Sequence, residues 1–284
     1  MKKSFIKTIV LTITSIFVLA LAGCTYVANG SVIQDVQFDI NYTVDGENKT
    51  INSTLSLYKT FAPRTTDRVI ELIKDGFYNN TAITLNKNQG YAVIGGFEYS
   101  NDDYVVKEFT GDGLKGEFTN AGWKSKLNVK AGALVMIRDF DIEQGAQKHQ
   151  TAKAKFAIVL SNTNMVFDSA NFCVFGFIDD ASLELLRTAL VDNSMSEDGY
   201  YRVRYMGDRD EDTGELTANN ACEYYFNAEK NYFKLVDGDM QLLEYATEND
   251  VDYDLYKIIS STTNSQDVFV LPNTVFKATN FKLK

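Results

Sequence analysis

Residues 84–96 read TLNKNQGYAVIGG, and this stretch carries the pattern from which the fold can be argued. A polar turn at 86–90 precedes the apolar run at 91–94, and Gly95 and Gly96 follow it. A short apolar run between turn signals is typical of a buried strand, and glycine lets the backbone bend or approach a neighbour closely. The pattern predicts a buried strand that stops at the two glycines, and it leaves open what the polar turn holds.

The segments on either side predict further strands and two helices. VQFDINYTV at 36–44 and STLSLYK at 53–59 read as strands that are joined by the turn DGENKT. APRTTDRVIELIKDGFY predicts a helix from Pro63 to Gly76, and ASLELLRTAL predicts a second helix at 181–190. Short strands are expected in YAVIGGF, ALVMIRDF, KFAIVLS and FCVFGFI. Many strands with two short helices indicate a mainly β protein, a barrel or a sandwich with helices at its ends.

The N-terminus predicts export. Three lysines precede an apolar stretch at 8–22, which is too short for an ordinary membrane span. The sequence LAGC at 21–24 resembles the lipobox of bacterial lipoproteins, in which Cys24 becomes the lipidated first residue. We expect a signal peptide at 1–23, a tether at 24–34 and a protein anchored outside the cytoplasmic membrane. The alternative is an ordinary signal followed by an unrelated cysteine.

Charge and residue counts exclude several function classes. Removal of residues 1–23 takes away three lysines and no acid, so the net charge of −10 becomes −13, which argues against nucleic acid as a partner. Cys173 lies in an apolar strand and is expected to be a buried, inert thiol, although a disulfide with Cys222 is an alternative. The single histidine, His149, lies in a polar stretch, so the sequence has too few histidines for a histidine-based triad or zinc cluster.

A late segment carries an acidic motif between two aromatic strands. Asp208, Asp210 and Asp212 alternate in DRDEDTGEL, as carboxylates of a calcium loop do, but the glycine comes one residue late. Position twelve of such a loop is Asn219 and not glutamate, so a solvated hairpin tip is the alternative. The flanking YYRVRYM and CEYYF predict an added hairpin whose tyrosines serve packing or contact.

Several segments, taken in order, resemble the cyclophilins. They are FAPRTTDRVIELIKDGFYNNT, VIGG, LKGEFTNAGWKSKLNVKAGALVMIR and KFAIVLSNTNMVFDSANFCVFGFI, with VFVLPNTVFKATNFKLK similar to the last barrel strand. The resemblance implies a closed eight-stranded barrel capped by two helices, built from 35–191 and 266–284, with a β-rich insertion at 192–265. It also implies a peptidyl-prolyl isomerase without a cofactor. Its partners would be exported polypeptides or a surface protein.

At the positions where the resemblance places the family's catalytic and peptide-binding residues, this sequence has different residues. The position of the catalytic arginine holds Asn86, and that of a groove phenylalanine holds Tyr91. The two groove glutamines are replaced by Ile94 and Lys155, and the phenylalanine of the proline pocket by Ala157. The positions that shape the barrel are kept and those that carry catalysis are not.

The remaining groove positions are aromatic or basic. Phe167 stands where the family has leucine, Phe172 aligns with the groove histidine, and Arg138 falls where the family has asparagine. Arg138 is a candidate substitute for the catalytic arginine, or else a rim residue paired with Asp139 or Asp141. Two functions follow: a cyclophilin-type isomerase that is weak or inactive, or a non-catalytic peptide- or protein-binding module, with Tyr91, Phe167 and Phe172 as contacts.

Overall fold

The computed structural model describes residues 33–86, 90–124, 127–138, 140–141, 146–147, 150–163, 167–205, 222–229, 231–243 and 268–284. Its helices are α1 (Pro63–Lys74), a short 3-10 helix (Thr119–Ala121) and α2 (Asp180–Asp192). Its strands are β1 (Ile33–Val44), β2 (Glu47–Tyr58), β3 (Thr81–Asn86), β4 (Tyr91–Ser100), β5 (Asp103–Val106), β6 (Ala133–Met136), β7 (Phe140–Asp141), β8 (Ala146–Gln147), β9 (Phe156–Val159), β10 (Val174–Ile178), β11 (Tyr200–Tyr205), β12 (Cys222–Asn227), β13 (Tyr232–Val236), β14 (Asp239–Leu242), β15 (Val268–Leu271) and β16 (Lys277–Leu283).

Eight of these strands close into an antiparallel barrel. Their order is β3–β16–β1–β2–β10–β6–β9–β4, and β4 pairs back with β3 through Leu85 and Ala92. Closure removes the free edges of the sheet, and it requires the C-terminal strand β16 to lie between β3 and β1. The predicted mainly β, eight-stranded barrel is therefore confirmed.

The first hairpin turns more tightly than its sequence suggested. Asp45 and Gly46 have φ values of 54° and 75°, the left-handed region that a two-residue hairpin turn requires. β2 begins directly afterwards, at Glu47. The prediction of a longer turn over DGENKT is wrong, because cross-strand pairing extends down to Val44 and Glu47.

Both predicted helices are present, and both pack on the barrel core. α1 has Pro63 in its first turn, and Gly76 adopts φ +73° just beyond its end, as expected. Val69 on α1 and Leu186 and Leu190 on α2 join one buried cluster with the inward-facing residues of the barrel. The helices therefore close the apolar interior that the curved sheet leaves open.

The barrel wall separates two apolar clusters. Along β4, Ala92 and Ile94 belong to the inner core, whereas Tyr91 and Val93 face outward, because successive strand residues point to opposite faces. The inner core fills the barrel. The outer cluster comprises Ala82, Tyr91, Val93, Phe97, Tyr104, Ala133, Val135, Ile137, Ala157, Val159, Phe167, Phe172, Val174, Phe269 and Leu271.

The glycines at the end of the 84–96 stretch allow close packing and do not end the strand. β4 runs on to Ser100, so the predicted stop is wrong. The predicted close approach is confirmed: Gly95 has φ +84°, and a Cβ there would lie 2.9 Å from Cε1 of Tyr78. The Tyr78 hydroxyl donates to the carbonyl oxygen of Ala154 at 2.8 Å, which holds the ring against this bend.

The strands before the C-terminus extend the barrel sheet outward. β3 pairs with β16 near its start and with β15 at Leu85 and Asn86, so residues 268–281 lie in the same sheet, as predicted. From β15 the sheet continues through β11, β12, β13 and β14. The predicted pairing of the two aromatic strands is confirmed by the β11–β12 ladder. The boundaries of the insertion at 192 and 265 stay a prediction.

An ion-pair network, which we call the clasp, joins this added sheet to β5. Arg202 donates to Asp103 at 2.9 Å and to Glu223 at 2.7 Å. Arg204 contacts the same two carboxylates at 3.2 and 2.9 Å and also donates to the carbonyl oxygen of Tyr104. Two arginines thus share two acids, one from the barrel side and one from β12.

Candidate functional site

The polar turn of the opening stretch is held by Asn86. This residue ends β3 and is 5% exposed. Its Oδ1 accepts the backbone N–H groups of Gly90 and Tyr91, at 2.6 and 3.0 Å. A side-chain oxygen that bonds backbone donors a few residues on closes a turn as a helix cap does. Asn86 therefore orients the start of β4.

Three aromatic rings pack on the outer face beside this turn. Phe167 lies between Tyr91 and Phe172, with ring centroids 4.7 and 4.8 Å apart respectively. All three side chains are buried. Tilted and edge-to-face contacts at these separations are favourable, so the three rings stabilise their own packing.

Two further predicted site residues, Ala157 and Lys155, lie in β9 and directly before it. Ala157 is fully buried in the outer cluster, and it pairs with Val93 on one side and Val135 on the other. Lys155 is half-buried, and its stem lies over Gly96, where a Cβ would come within 3.3 Å of Cδ of the lysine. Long alkyl stems commonly cover apolar surface in this way.

Arg138 lies beneath the aromatic layer. Its guanidinium carbon is 4.0 Å from the ring centroid of Phe118 and 5.4 Å from that of Phe172. It also donates to the carbonyl oxygen of Asn171. Burial lowers the pKa of Arg138 to about 10, although nearby Cys173 and Asp168 oppose that change, so the side chain stays charged at neutral pH.

The loop that carries Phe167 and Phe172 is tied by hydrogen bonds. The carboxylate of Asp168 accepts the N–H groups of Ala170 and Asn171, at 2.8 and 2.9 Å, and the side-chain amide of Asn171 at 2.9 Å. Asn120 donates to Oδ1 of Asn171 at 2.6 Å and, through its backbone, to the carbonyl oxygen of Ala170 at 2.8 Å. The loop is therefore preorganised by its own side chains and by the segment around Asn120.

The glutamate of the same segment holds the start of α1. Glu117 is 3% exposed, and its two carboxylate oxygens accept the N–H groups of Arg64 and Thr65 at 2.9 and 2.8 Å. A negative group at a helix N-terminus satisfies unpaired donors and the helix dipole. The Thr65 hydroxyl lies 3.3 Å from the sulfur of Cys173. Burial raises the pKa of this free thiol to about 12, which confirms the prediction of a buried cysteine and makes it unreactive.

Comparison with known proteins identifies this arrangement. The family model described as cyclophilin type peptidyl-prolyl cis-trans isomerase/CLD matches residues 43–199. The chain belongs to the cyclophilin family. The structure of a cyclophilin type peptidyl-prolyl cis-trans isomerase from Cryptosporidium parvum is 14% identical, with a TM-score of 0.39, over 76% of this chain and 100% of that chain. The same enzyme in the presence of the dipeptide Ala-Pro is 16% identical, with a TM-score of 0.39, over 66% and 94%. No curated protein matches the chain.

The cyclophilin barrel distributes the predicted groove residues over both of its faces. Tyr91, Ala157, Phe167 and Phe172 share the outer cluster, as a common surface requires. Ile94 lies in the inner core, so its assignment to a peptide groove is wrong: it is three residues from Tyr91 and faces the other side of β4.

Two further predicted positions, Arg138 and Asn86, are settled only in part. Arg138 is 4% exposed, so its expected place at an exposed rim is wrong, and its predicted partner Asp139 lies outside the described residues. The side chain of the other partner, Asp141, is likewise outside them. Asn86 ends β3 at the β3–β4 turn, where its carboxamide oxygen is engaged by backbone N–H groups.

Reasoning from the sequence did not identify Glu117 and Asn120 as residues that form the site. The signal that could have identified them is the GEF-x-N-x-G pattern at residues 116–122. Its contacts explain the pattern: the glutamate holds α1, Phe118 lies against Arg138, and Asn120 hydrogen-bonds to the loop at 167–172. Gly122 ends the segment with φ +83°. The matching segment therefore preserves the frame of the site.

The remaining predicted sites lie outside the described residues. These are the lipidation site Cys24 and the calcium candidates Asp208, Asp210 and Asp212, and His149, which the sequence places in a polar stretch and not at a site, is also outside the described residues. Within the described ranges, no group of three or more His, Cys, Asp or Glu side chains is placed to hold a metal ion. Among the same residues, no helix has both the length and the apolarity needed to cross a membrane.

Proposed function

We propose that this cyclophilin is a lipid-anchored protein outside the cytoplasmic membrane whose peptidyl-prolyl isomerase activity is weak or absent. The observation that carries the proposal is the role of Asn86. The resemblance places the catalytic arginine at this position, and here a neutral side chain closes a turn by accepting two backbone N–H groups. It has no charge with which to polarise a substrate amide.

The size of the expected loss follows from the reaction. Rotation about a peptide bond has a barrier of about 18–20 kcal/mol, because the bond is partly double. An isomerase lowers the barrier by stabilising the twisted amide with a donor that is already in position. Loss of one such donor typically costs on the order of 10²- to 10³-fold in rate.

The packing of the outer face supports the same proposal. A proline ring needs an open apolar pocket, whereas Tyr91, Phe167 and Phe172 are buried against one another. Ala157 is fully buried, so replacement of the family's phenylalanine by alanine leaves no exposed hollow at this residue. Both the donor and the pocket are therefore altered.

Arg138 is better suited to a structural role than to catalysis. Its guanidinium rests on Phe118 and donates to the Asn171 carbonyl, which belongs to the loop that carries Phe172. To reach a substrate amide, it would have to give up a contact with a ring and a charge-assisted hydrogen bond. We assign it to holding this loop.

The second candidate function is non-catalytic binding of exported polypeptides or of a surface protein. The loop at 167–172 favours it, because Asp168 and Asn120 keep that loop ordered although no catalytic donor accompanies it. A rigid loop on a closed barrel is a suitable binding surface, since little entropy is lost on association.

The decisive experiment measures cis-trans isomerisation of a proline tetrapeptide by the full-length protein in mild detergent, beside an arginine-bearing cyclophilin. We expect a rate constant at least about 100-fold lower than that of the reference enzyme, and the same residual rate in Arg138→Ala. Arg138→Lys is the matched control for charge. Activity close to the reference that collapses in Arg138→Ala would overturn the proposal and make Arg138 the catalytic group.

The location is tested separately. Cys24→Ala should release the protein from membranes or leave it unprocessed, because multiple acyl chains are what hold a lipoprotein firmly. The proposed anchor is refuted if the variant fractionates with membranes as before and has the mature mass of an unmodified chain.

A further inference from the structure

A polar cleft of about 630 Å³ lies at one side of the barrel, where two of its lining residues, Tyr99 and Val275, pack against the outer cluster. It is bounded by the β1–β2 hairpin, by Tyr99 of β4 and by the 273–277 segment that connects β15 with β16. Two lysines, three asparagines, three threonines, two tyrosines and one valine line it. None of these residues belongs to the site described above, so the cleft requires its own explanation.

The charge of the cleft is opposite to that of the protein. Among the described residues, Lys49 and Lys277 are the charged ones that line it and none of the lining residues is acidic, although the chain as a whole has a net charge of −10. The ammonium group of Lys277 is 5.4 Å from the ring centroid of Tyr99, a cation–π contact that keeps it at the wall. Two ammonium groups, with no carboxylate in the described part of the lining, favour an anionic ligand, and a lysine suits phosphate as a point charge.

The polar side chains between the lysines are held in place. Asn41 donates to Oγ1 of Thr279 at 2.7 Å, and its Oδ1 accepts the Thr50 hydroxyl at 2.8 Å. Thr43 donates to Oδ1 of Asn48 at 2.8 Å. An asparagine carboxamide has two donor hydrogens and an oxygen with two lone pairs, so Asn41 has capacity left for a ligand. Such fixed amides and hydroxyls are suited to a ligand rich in hydroxyl groups.

Two tyrosine rings complete the lining, and each is supported from behind. Tyr42 stacks on Phe276 with centroids 4.7 Å apart, and Tyr99 meets Tyr104 edge-on at 5.3 Å. A tyrosine offers an apolar ring face together with a polar hydroxyl, which matches the alternating C–H and O–H groups of a sugar.

A peptide would engage the cleft in another way. Extended peptides usually add to a free strand edge, and β1 pairs with β2 along its length but with β16 only as far as Asn41. Backbone pairing at that edge would not use the lysine ammonium groups or the side-chain amides and hydroxyls of the cleft. Combining the charge, the hydroxyl-binding groups and the rings, we propose that the polar cleft binds a phosphorylated sugar unit.

The test is calorimetric titration of the full-length protein in mild detergent at low ionic strength, with glucose 6-phosphate, glucose and inorganic phosphate as probes. We expect glucose 6-phosphate to bind at least about tenfold more tightly than either of the others, because it alone engages the lysines and the sugar-binding groups together. Inorganic phosphate binding as tightly as the sugar phosphate would overturn the proposal by reducing the cleft to an anion site. Absence of binding by glucose 6-phosphate at millimolar concentration would also overturn it.

Variants connect the binding to the cleft. The double variant Lys49→Gln/Lys277→Gln should weaken the binding of glucose 6-phosphate by about tenfold, since exposed ion pairs contribute modestly to affinity. Lys282→Gln removes the same charge from β16 outside the cleft and should leave the affinity unchanged. Thermal unfolding of each variant checks its fold. Equal affinity in the double variant and the wild type would place the ligand elsewhere and refute the assignment.

Discussion

Two groups of polar residues stabilise this protein in different ways. Asn86, Glu117, Arg138 and Asp168, which we call the anchor residues, bond mainly to backbone groups. In the clasp, Asp103, Arg202, Arg204 and Glu223 bond mainly to one another. Anchor residues fix where the backbone goes, whereas the clasp joins two surfaces that are already formed.

The surroundings of the two groups differ accordingly. Burial lowers the pKa of Arg138, the arginine of the anchor residues. In the clasp, burial also acts to lower the pKa of Arg202, but Glu223 and Asp103 outweigh it and raise the pKa above its ordinary value. An anchor residue therefore depends on the shape and polarity of one side chain, and the clasp depends on opposite charges. The following substitutions test that distinction.

The largest effect is expected at Glu117. Glu117→Ala leaves the part-buried N–H group of Arg64 and the buried N–H group of Thr65 without their acceptor, at about 1–3 kcal/mol each, so the free energy of unfolding should fall by about 3 kcal/mol. Glu117→Gln keeps one acceptor and should lose clearly less. Urea unfolding measures both. Equal losses in the two variants would show that charge, and not the hydrogen bonds, matters here.

A smaller loss, about 2 kcal/mol, is expected for Asn86→Ala, because one buried oxygen serves the N–H groups of Gly90 and Tyr91. Asn86→Asp supplies an oxygen in the same place and is the control. It should unfold closer to the wild type than the alanine variant does. If both variants are as stable as the wild type in urea, the turn does not depend on this residue.

In the clasp, replacement of a charged residue by its neutral isostere should lower the stability of the protein. Glu223→Gln removes the charge shared by Arg202 and Arg204, and we expect a loss of about 1–2 kcal/mol because the network is partly exposed. The matched control is Glu184→Gln, which breaks an equally close but exposed pair with Arg187 and should cost under about 0.5 kcal/mol. The distinction between the two groups fails if Glu223→Gln behaves like its control.

The smallest expected effect, about 1 kcal/mol or less, is the response of the clasp to acid. Burial acts to raise the pKa of Asp103 and of Glu223, but hydrogen bonds and the two arginines outweigh it and lower both. A carboxylate whose folded pKa is lowered contributes stability above its unfolded pKa and loses it as pH falls through the folded value. The stability difference between wild type and Glu223→Gln should therefore be constant at neutral pH and shrink below about pH 4.5. Unfolding curves from pH 3 to 7 measure it, and a difference that grows in acid would contradict this.

Local patterns predicted much of the fold correctly. Both helices were predictable, because Pro63 and Gly76 bracket one of them and apolar residues recur at helical spacing in both. Strand content and the β11–β12 pairing were also predictable from alternating aromatic residues. The length of the first turn and the continuation of β4 through Gly95 were not, since both depend on the cross-strand partner.

The candidate site, like the fold, was predictable from the sequence only in part. The sequence alone determined that Asn86, Ile94 and Lys155 stand where the resemblance to cyclophilins places an arginine and two glutamines, because those are statements about side-chain chemistry at matched positions. Tertiary structure decided what the replacements do. Ile94 faces the inner core because strand side chains alternate, and Asn86 closes a turn because Gly90 and Tyr91 return to it. Glu117 reaches the start of α1 from 52 residues away along the chain. A contact between segments so far apart exists only in the folded barrel, so no local pattern encodes it.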